Sequence, residues 1–237
     1  MRTVNFKDII LYEDEDFILI NKPPFFSSLD DRFGENTNIQ QMAKDYSSDA
    51  QLAHRLDKET SGVLAIAKNP EAYRHLAMQF EHREVTKVYH AIVDGIHEFD
   101  TEEVNLPIYT TSQGTVKIDP RGKPALTYFK TIKAFKKHTH IKCMPVTGRL
   151  HQIRVHLWAI KAPITGDVTY GGKPFYLSEV KKKFNLKNFT EELPLMQRVA
   201  LHAYSLEFKT LKGEQIVVEA PYPKDFSILI KQLEKYS

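Results

Sequence analysis

Apolar residues in this chain come in short runs separated by turn-forming residues, and that pattern limits what it can fold into. The longest runs, such as Val63 to Ala67, are only strand-sized, whereas a membrane-spanning helix needs about 20 consecutive apolar residues. Strand-like stretches recur at Phe17–Ile20, Val63–Lys68, Thr86–Val93, Val116–Ile118, Ala125–Phe135, Thr139–Val146, Leu201–Phe208 and Gln215–Glu219. Amphipathic stripes at helical spacing stand among them: Tyr73, Leu76, Ala77 and Phe80; Leu150, Ile153, Leu157 and Ile160; Phe226, Leu229, Ile230 and Leu233. Strands and helices are interspersed without strict βαβ alternation, which predicts an α+β fold on a mixed, largely antiparallel sheet flanked by helices. No internal repeat, low-complexity tract or linker is visible, so a single domain over residues 1–237 is expected.

Local signals sharpen this outline. Asn21-Lys22-Pro23-Pro24 stops the first strand, because two prolines remove two amide donors and hold the chain extended. Residues 25–37 read as irregular and Asn38 to Tyr46 as a short helix. Asn69 suits a helix N-cap and Pro70 the first helical position, so a helix should run from there to His82-Arg83. Lys136-Lys137-His138 should turn a hairpin between the two strands that flank it. The lysine-rich region 173–198 carries no assignable pattern.

A single cysteine, Cys143, excludes an internal disulfide and suits a reducing cytosol. The start, Met-Arg-Thr-Val-Asn-Phe-Lys-Asp, has no apolar signal core. A cytoplasmic monomer with no membrane partner is therefore expected. Net charge is only +3, but it is unevenly spread. Between residues 117 and 142 stand Lys117, Lys123, Lys130, Lys133, Lys136, Lys137, Lys142 and Arg121 against the single Asp119. Such a strip is either a footprint for phosphates or a solvated strand face.

His54-Arg55-Leu56-Asp57-Lys58-Glu59-Thr60-Ser61-Gly62 places one aspartate after Arg-Leu and closes with Thr-Ser-Gly before an apolar run. In the bland reading it is a polar turn entering a strand. In the functional one, the Asp57 carboxylate stands on a tight loop at the strand's mouth, where it meets a substrate. The nonamer closely resembles the catalytic signature of the RNA pseudouridine synthases of the ribosomal-large-subunit (RluA-like) family. Further segments resemble the same family in the expected order. They are Asp16-Phe-Ile-Leu-Ile-Asn-Lys-Pro23, Lys87 to Gly95, Thr147 to Leu157, Ile164 to Gly172 and Leu201 to Phe208. The family usually carries a glycine after its Lys-Pro turn, where this chain has Pro24-Phe25-Phe26. Many relatives also carry an N-terminal S4-type RNA-binding module; this chain is expected to start directly at the catalytic domain.

The resemblance implies the pseudouridine synthase fold and conversion of a uridine in ribosomal or transfer RNA to its C-glycoside isomer. It implies no cofactor and no metal. Asp57 becomes the catalytic carboxylate, which attacks C1′, attacks C6 of the base or removes a proton from C2′; the sequence leaves all three open. Arg154 becomes its counter-ion, since arginine stays charged and grips a carboxylate with two hydrogen bonds; otherwise it is a helix arginine. Helical phase puts Arg154 at the border of the stripe formed by Ile153, Leu157 and Ile160. Tyr89 would lie against the uracil ring and assist loss of the C5 proton, unless it is only a half-buried strand aromatic. Leu201 would pack under the base. Arg55 would fill the space left by a flipped-out uridine, or form a structural salt bridge. RNA would be met through a basic strip including Lys130, Lys133, Lys136 and Lys137.

Other chemistries find little support. His138/His140 and His151/His156 lack standard metal-ligand spacing. Neither G-x-x-x-x-G-K-[ST] nor G-x-G-x-x-G occurs. Lys181-Lys182-Lys183 with Phe184, Lys187 and Phe189 is either an RNA contact or an exposed loop. The rival from another class is a non-catalytic RNA-binding protein on the same scaffold, which would not need Asp57, Tyr89 and Arg154 together.

Overall fold

The computed structural model describes residues 4–29, 38–181, 184–186 and 191–236. A 3-10 turn at Phe6–Ile9 leads into β1 (Ile10–Glu13) and the antiparallel β2 (Phe17–Lys22). Asp14 closes the turn between them, its Oδ1 accepting from the N–H of Asp16 at 2.8 Å and of Phe17 at 2.6 Å. Asn38 caps α1 (Ile39–Tyr46) through Gln41 N, and β3 (Gln51–Leu52) and β4 (Ser61–Ala67) follow. Asn69 caps α2 (Pro70–His82) by accepting from Ala72 N at 2.8 Å, and Arg83 ends the helix in the left-handed region. Next come β5 (Thr86–Asp94), β6 (Glu102–Asn105), β7 (Ile108–Thr110), β8 (Val116–Ile118), β9 (Leu126–Ala134) and β10 (His138–Pro145). The chain continues through α3 (Gln152–Ala159), β11 (Leu201–Lys209), β12 (Gln215–Glu219) and α4 (Lys224–Lys235). The fold is α+β, as the interspersed pattern predicts.

The chain divides into two compact units, each drawn from two stretches of chain. The first comprises residues up to Val88 together with His202–Pro221. Its central strand, β4, is buried along its whole length. β4 runs antiparallel to β2 and β3 and parallel to β11, which makes the sheet mixed. Phe17, Leu19, Val63 and Ala65 pack with Leu76 of α2 and with Leu206 and Phe208 of β11. Burying each such side chain contributes about 1.5–3 kcal/mol. Gly62 is irreplaceable in this sheet: its φ is +114°, and a Cβ would lie 2.1 Å from the Ala203 carbonyl oxygen.

The second unit comprises Tyr89–Leu201 and the chain from Tyr222 onward. β5, β10, β9 and β6 lie side by side, all antiparallel, and β9 and β10 form the expected hairpin. Ile92, Phe129, Ile141 and Cys143 from this sheet pack against Ile153 and Leu157 of α3 and Phe226, Leu229 and Leu233 of α4.

Two regions differ from expectation. α3 is buried nearly all round, from Gln152 to Leu157, rather than along one stripe. Its polar side chains are satisfied inside: Gln152 Nε2 donates to Leu126 O and Thr127 Oγ1, both at 3.0 Å, while its Oε1 accepts from Thr147 Oγ1 and Arg149 N. The unassigned region 173–198 is anchored in the core by Phe175 and Met196, which face each other across a β-bridge.

Candidate active site

Residues 54–60 of the nonamer form a loop between β3 and β4, with Thr60 N donating to Asp57 O at 3.0 Å, and Ser61-Gly62 open β4. Asp57 is half-buried, while Arg55 and Lys58 on either side of it are exposed. The backbone around Asp57 is fixed from both directions. Before it, the buried Ser28 hydroxyl donates to Leu56 O at 2.8 Å and accepts from Leu56 N at 3.0 Å. After it, Lys58 O accepts from Phe25 N at 2.8 Å and from Lys22 Nζ at 3.2 Å. Lys22 is fully buried, and its ammonium also reaches Phe26 O at 2.9 Å and Pro23 O at 3.1 Å. A buried ammonium is tolerable only when its donors are satisfied. The cation thus ties the Lys-Pro turn to the Asp57 loop.

The two ends of the nonamer are locked by histidines. His54 Nε2 accepts from Ala65 N at 3.0 Å, and its ring packs on Phe80 with centroids 4.6 Å apart. Burial, aided by the Lys87 ammonium, pushes the His54 imidazole down to about 3, so it is neutral at physiological pH. Lys87 is itself lowered to about 8 by burial and by Arg83. At the other end, His202 Nε2 donates to Ala220 O at 3.0 Å, which leaves Nδ1 to accept from Ser61 Oγ at 2.9 Å. This Ser-His pair is fully buried and serves packing, not nucleophilic chemistry.

Of the residues singled out in the sequence, Arg55 and Asp57 share this loop in the first unit, and Tyr89, Arg154 and Leu201 belong to the second. Arg154 is buried on α3. Its Nε and Nη2 donate to the two oxygens of Asp167 at 2.7 and 2.8 Å, and its guanidinium lies 5.2 Å from the centroid of the Tyr170 ring. Asp167 is itself buried, so the pair is a desolvated, bidentate one of the stronger kind. Tyr89 packs half-buried against the apolar cluster that contains Leu201. Arg198, fully buried, holds the backbone there: Nη1 donates to Val199 O and Leu201 O, and Nε and Nη2 grip Asp225 at 2.7 and 3.1 Å.

Residues 16–159 match the family model described as RNA pseudouridylate synthase. The chain belongs to the RNA pseudouridine synthase family. It is 36% identical over 239 residues to ribosomal large subunit pseudouridine synthase C of Buchnera aphidicola, covering 98% of this chain and 72% of that one. Ribosomal large subunit pseudouridine synthase D of Haemophilus ducreyi is 35% identical, with 95% and 70% covered. Among solved structures, human RNA pseudouridylate synthase domain containing 1 superposes with a TM-score of 0.71 at 26% identity, covering 94% of this chain and 87% of that one. The fold is the pseudouridine synthase fold, and membership makes the chain an isomerase acting on RNA.

Sequence reasoning missed several residues that shape this pseudouridine synthase site. Ser28 carries no signal of its own as a single polar residue. Lys22 and Asp167 stand in segments that resemble the family, but the sequence assigns neither a role beyond the Lys-Pro turn that Lys22 opens. The basic strip is also less positive than its lysine count suggests. Lys117 and Arg121 share Asp119 at 3.2 and 2.7 Å, Lys133 pairs with Glu234 at 3.0 Å, and Lys130 lies 3.9 Å from Asp100. Lys136 and Lys137 stand exposed at the β9–β10 turn. Lys181 lies 6.0 Å from the Phe184 ring centroid, whereas Lys182, Lys183, Lys187 and Phe189 fall outside the described residues. Several histidines prove to be core residues: His90, His138, His140, His156 and His202 are all buried. No helix among the described residues is long and apolar enough to cross a membrane.

Proposed function

We propose that this chain isomerises uridine to pseudouridine in large-subunit ribosomal RNA, with Asp57 as the reacting carboxylate. The observation that carries the reading is the clamp on the Asp57 loop. Leu56 and Lys58 are each held by two hydrogen bonds, while Asp57 between them is half-buried. A fixed backbone beneath an accessible carboxylate is what a reaction at the sugar–base junction requires, because misplacement by a fraction of an ångström costs rate. The names of the relatives supply the ribosomal RNA target.

The N1–C1′ bond breaks, the uracil turns, and C5 bonds to C1′. The proton on C5 is lost and N1 gains one, so no atom is added or removed. Asp57 acts on C1′, C6 or the C2′ proton. Arg154 supplies the cation that keeps Asp57 ionised when the bound base excludes water, and Asp167 holds that guanidinium in one orientation. Tyr89 lies against the base and assists loss of the C5 proton, with Leu201 beneath the ring. Arg55, exposed beside Asp57, takes the place of the flipped nucleotide. Lys136 and Lys137, helped by Lys130 and Lys133 once their acidic neighbours give way, meet RNA phosphates. The protein works as a cytoplasmic monomer.

Asp57→Asn tests the reading. Pseudouridine formation on an unmodified large-subunit rRNA transcript should fall by at least about a thousand-fold. RNA affinity and Tm should stay near wild type. An Asn variant that turns over at the normal rate would make Asp57 a bystander. Mapping pseudouridines in ribosomal RNA from cells with and without the gene identifies the uridine.

A further inference from the structure

We infer that Phe25 is a stacking platform for a nucleobase beside the reacting uridine, a role that rests on the RNA substrate proposed above. Pro24 and Phe25 are the central residues of the turn that follows β2, and Phe25 has φ of 71°. Pro then positive φ is the corner geometry of a type II turn, whose third position favours glycine or asparagine. A bulky side chain in the left-handed region is a conformational outlier. Such outliers persist only where the surroundings impose them, and they gather at functional sites.

The surroundings do impose it here. Phe25 N is bonded to Lys58 O, and the neighbouring Pro23 and Phe26 carbonyls are both held by the Lys22 ammonium. The ring itself gains little from the fold, for Phe25 is 52% exposed. Folding alone would therefore favour a small residue that tolerates positive φ. Phe25 instead presents an aromatic face, pinned by its own amide to the residue after Asp57. Exposed Arg55 and Lys58 flank that aspartate. An aromatic face with cations beside it, next to a carboxylate that works on an unstacked nucleotide, fits one ligand chemistry: a splayed RNA base with its phosphates. The platform holds the base adjoining the flipped uridine, and so contributes to which sequence context is accepted.

Phe25→Asn and Phe25→Trp separate this role from a structural one. Asparagine suits the left-handed backbone and removes the ring; tryptophan keeps a stacking face. In filter binding to an unmodified large-subunit rRNA transcript, Phe25→Asn should raise Kd about ten-fold, the scale of one lost base–aromatic stack. Its Tm should equal or exceed that of wild type, and the kinetic loss should fall mainly on KM. Phe25→Trp should bind within about two-fold of wild type, a difference of under a third of the ten-fold free energy. Unchanged Kd in Phe25→Asn overturns the proposal, as does a Tm drop large enough to show that the ring supports the fold. Kd is read without turnover. Failure of the wild-type protein to form pseudouridine would thus count against the proposed function, and the binding comparison would still decide the role of Phe25.

Discussion

The Asp57 loop and the Arg154 pocket hold their charged groups by opposite means. Around Asp57 the protein grips backbone: Ser28, Lys22 and Phe25 N bond to the peptide groups of Leu56 and Lys58, and Asp57 between them is half-buried. Around Arg154 it grips the side chain: a bidentate bond to buried Asp167 on two guanidinium nitrogens and the Tyr170 ring, its centroid 5.2 Å from the guanidinium. The difference suits their proposed tasks. A reacting carboxylate must meet substrate, so a grip on the peptide beneath it adds precision without enclosing the residue. A supporting cation need not react, so it can be buried and oriented by its own partners. Failure should differ accordingly: a lost backbone clamp blurs position, whereas a lost buried partner also destabilises.

The largest effect is expected at Asp167. Asp167→Asn removes the charge that grips a buried guanidinium with two hydrogen bonds, and breaking a buried pair from one side costs about 3–5 kcal/mol. At roughly 2–4 °C per kcal/mol for a domain of this size, Tm should fall by about 6 °C or more. Turnover should fall as well, because Arg154 loses its fixed orientation. A variant that melts within a degree of wild type would show that the Arg154 pocket is not held by this pair.

Ser28→Ala should act more gently and mainly on rate. Removing the hydroxyl leaves Leu56 N–H and C=O without this partner at a buried residue, a loss of about 1–3 kcal/mol. The loop should then sample other positions, lowering single-turnover rate more than RNA affinity. Ser28→Thr retains the hydroxyl and should recover most of the rate. Equal rates in Ser28→Ala and wild type would remove the clamp from the mechanism and leave Asp57 precision unexplained.

Much of the scaffold was legible because its signals are local. Asn69-Pro70 sets the start of α2, and β12 has the bounds that its β-rich run marks out. β6 escaped because Glu102-Glu103-Val104-Asn105 carries one buried apolar residue, so its pairing with β9 decides its conformation. β1 escaped for a related reason, its residues being only half-buried beside an acidic stretch. The site shows the same split. Asp57 and Arg55 stand in a contiguous motif and their loop was readable. Ser28 acts through a partner distant in sequence, and Asp167, though in a segment that resembles the family, shows nothing in the sequence that ties it to Arg154. Pro24-Phe25-Phe26 was visible as a departure from the glycine usual in the family; only the positive φ of Phe25 gives that departure a physical meaning.

The smallest effect concerns pH and again sets one unit against the other. His54 in the first unit is pushed down to about 3, and His140 in the second to about 4 by burial, with Glu234 opposing. His138 is also lowered by burial, and neither His138 Nδ1 nor His140 Nε2 finds a hydrogen-bond partner among the described residues. In each case the folded state resists a proton that the unfolded chain accepts near pH 6.5. Below that pH the unfolded state therefore binds more protons, and stability falls with pH until the folded imidazole itself titrates, near pH 4 for His140. By pH 5.5 His54 and His140 should each cost about 1 kcal/mol. His140→Phe removes one of them without adding a donor, so its Tm loss between pH 7 and 5.5 should be smaller than that of wild type. For His54 the cause is partly geometric, since protonation would end its acceptance from Ala65 N. Acid should therefore loosen the Asp57 loop as well as the second unit, with activity lost alongside Tm. If wild type and His140→Phe lose the same Tm over this range, His140 is not buried as a neutral ring, and the acid sensitivity belongs to other histidines.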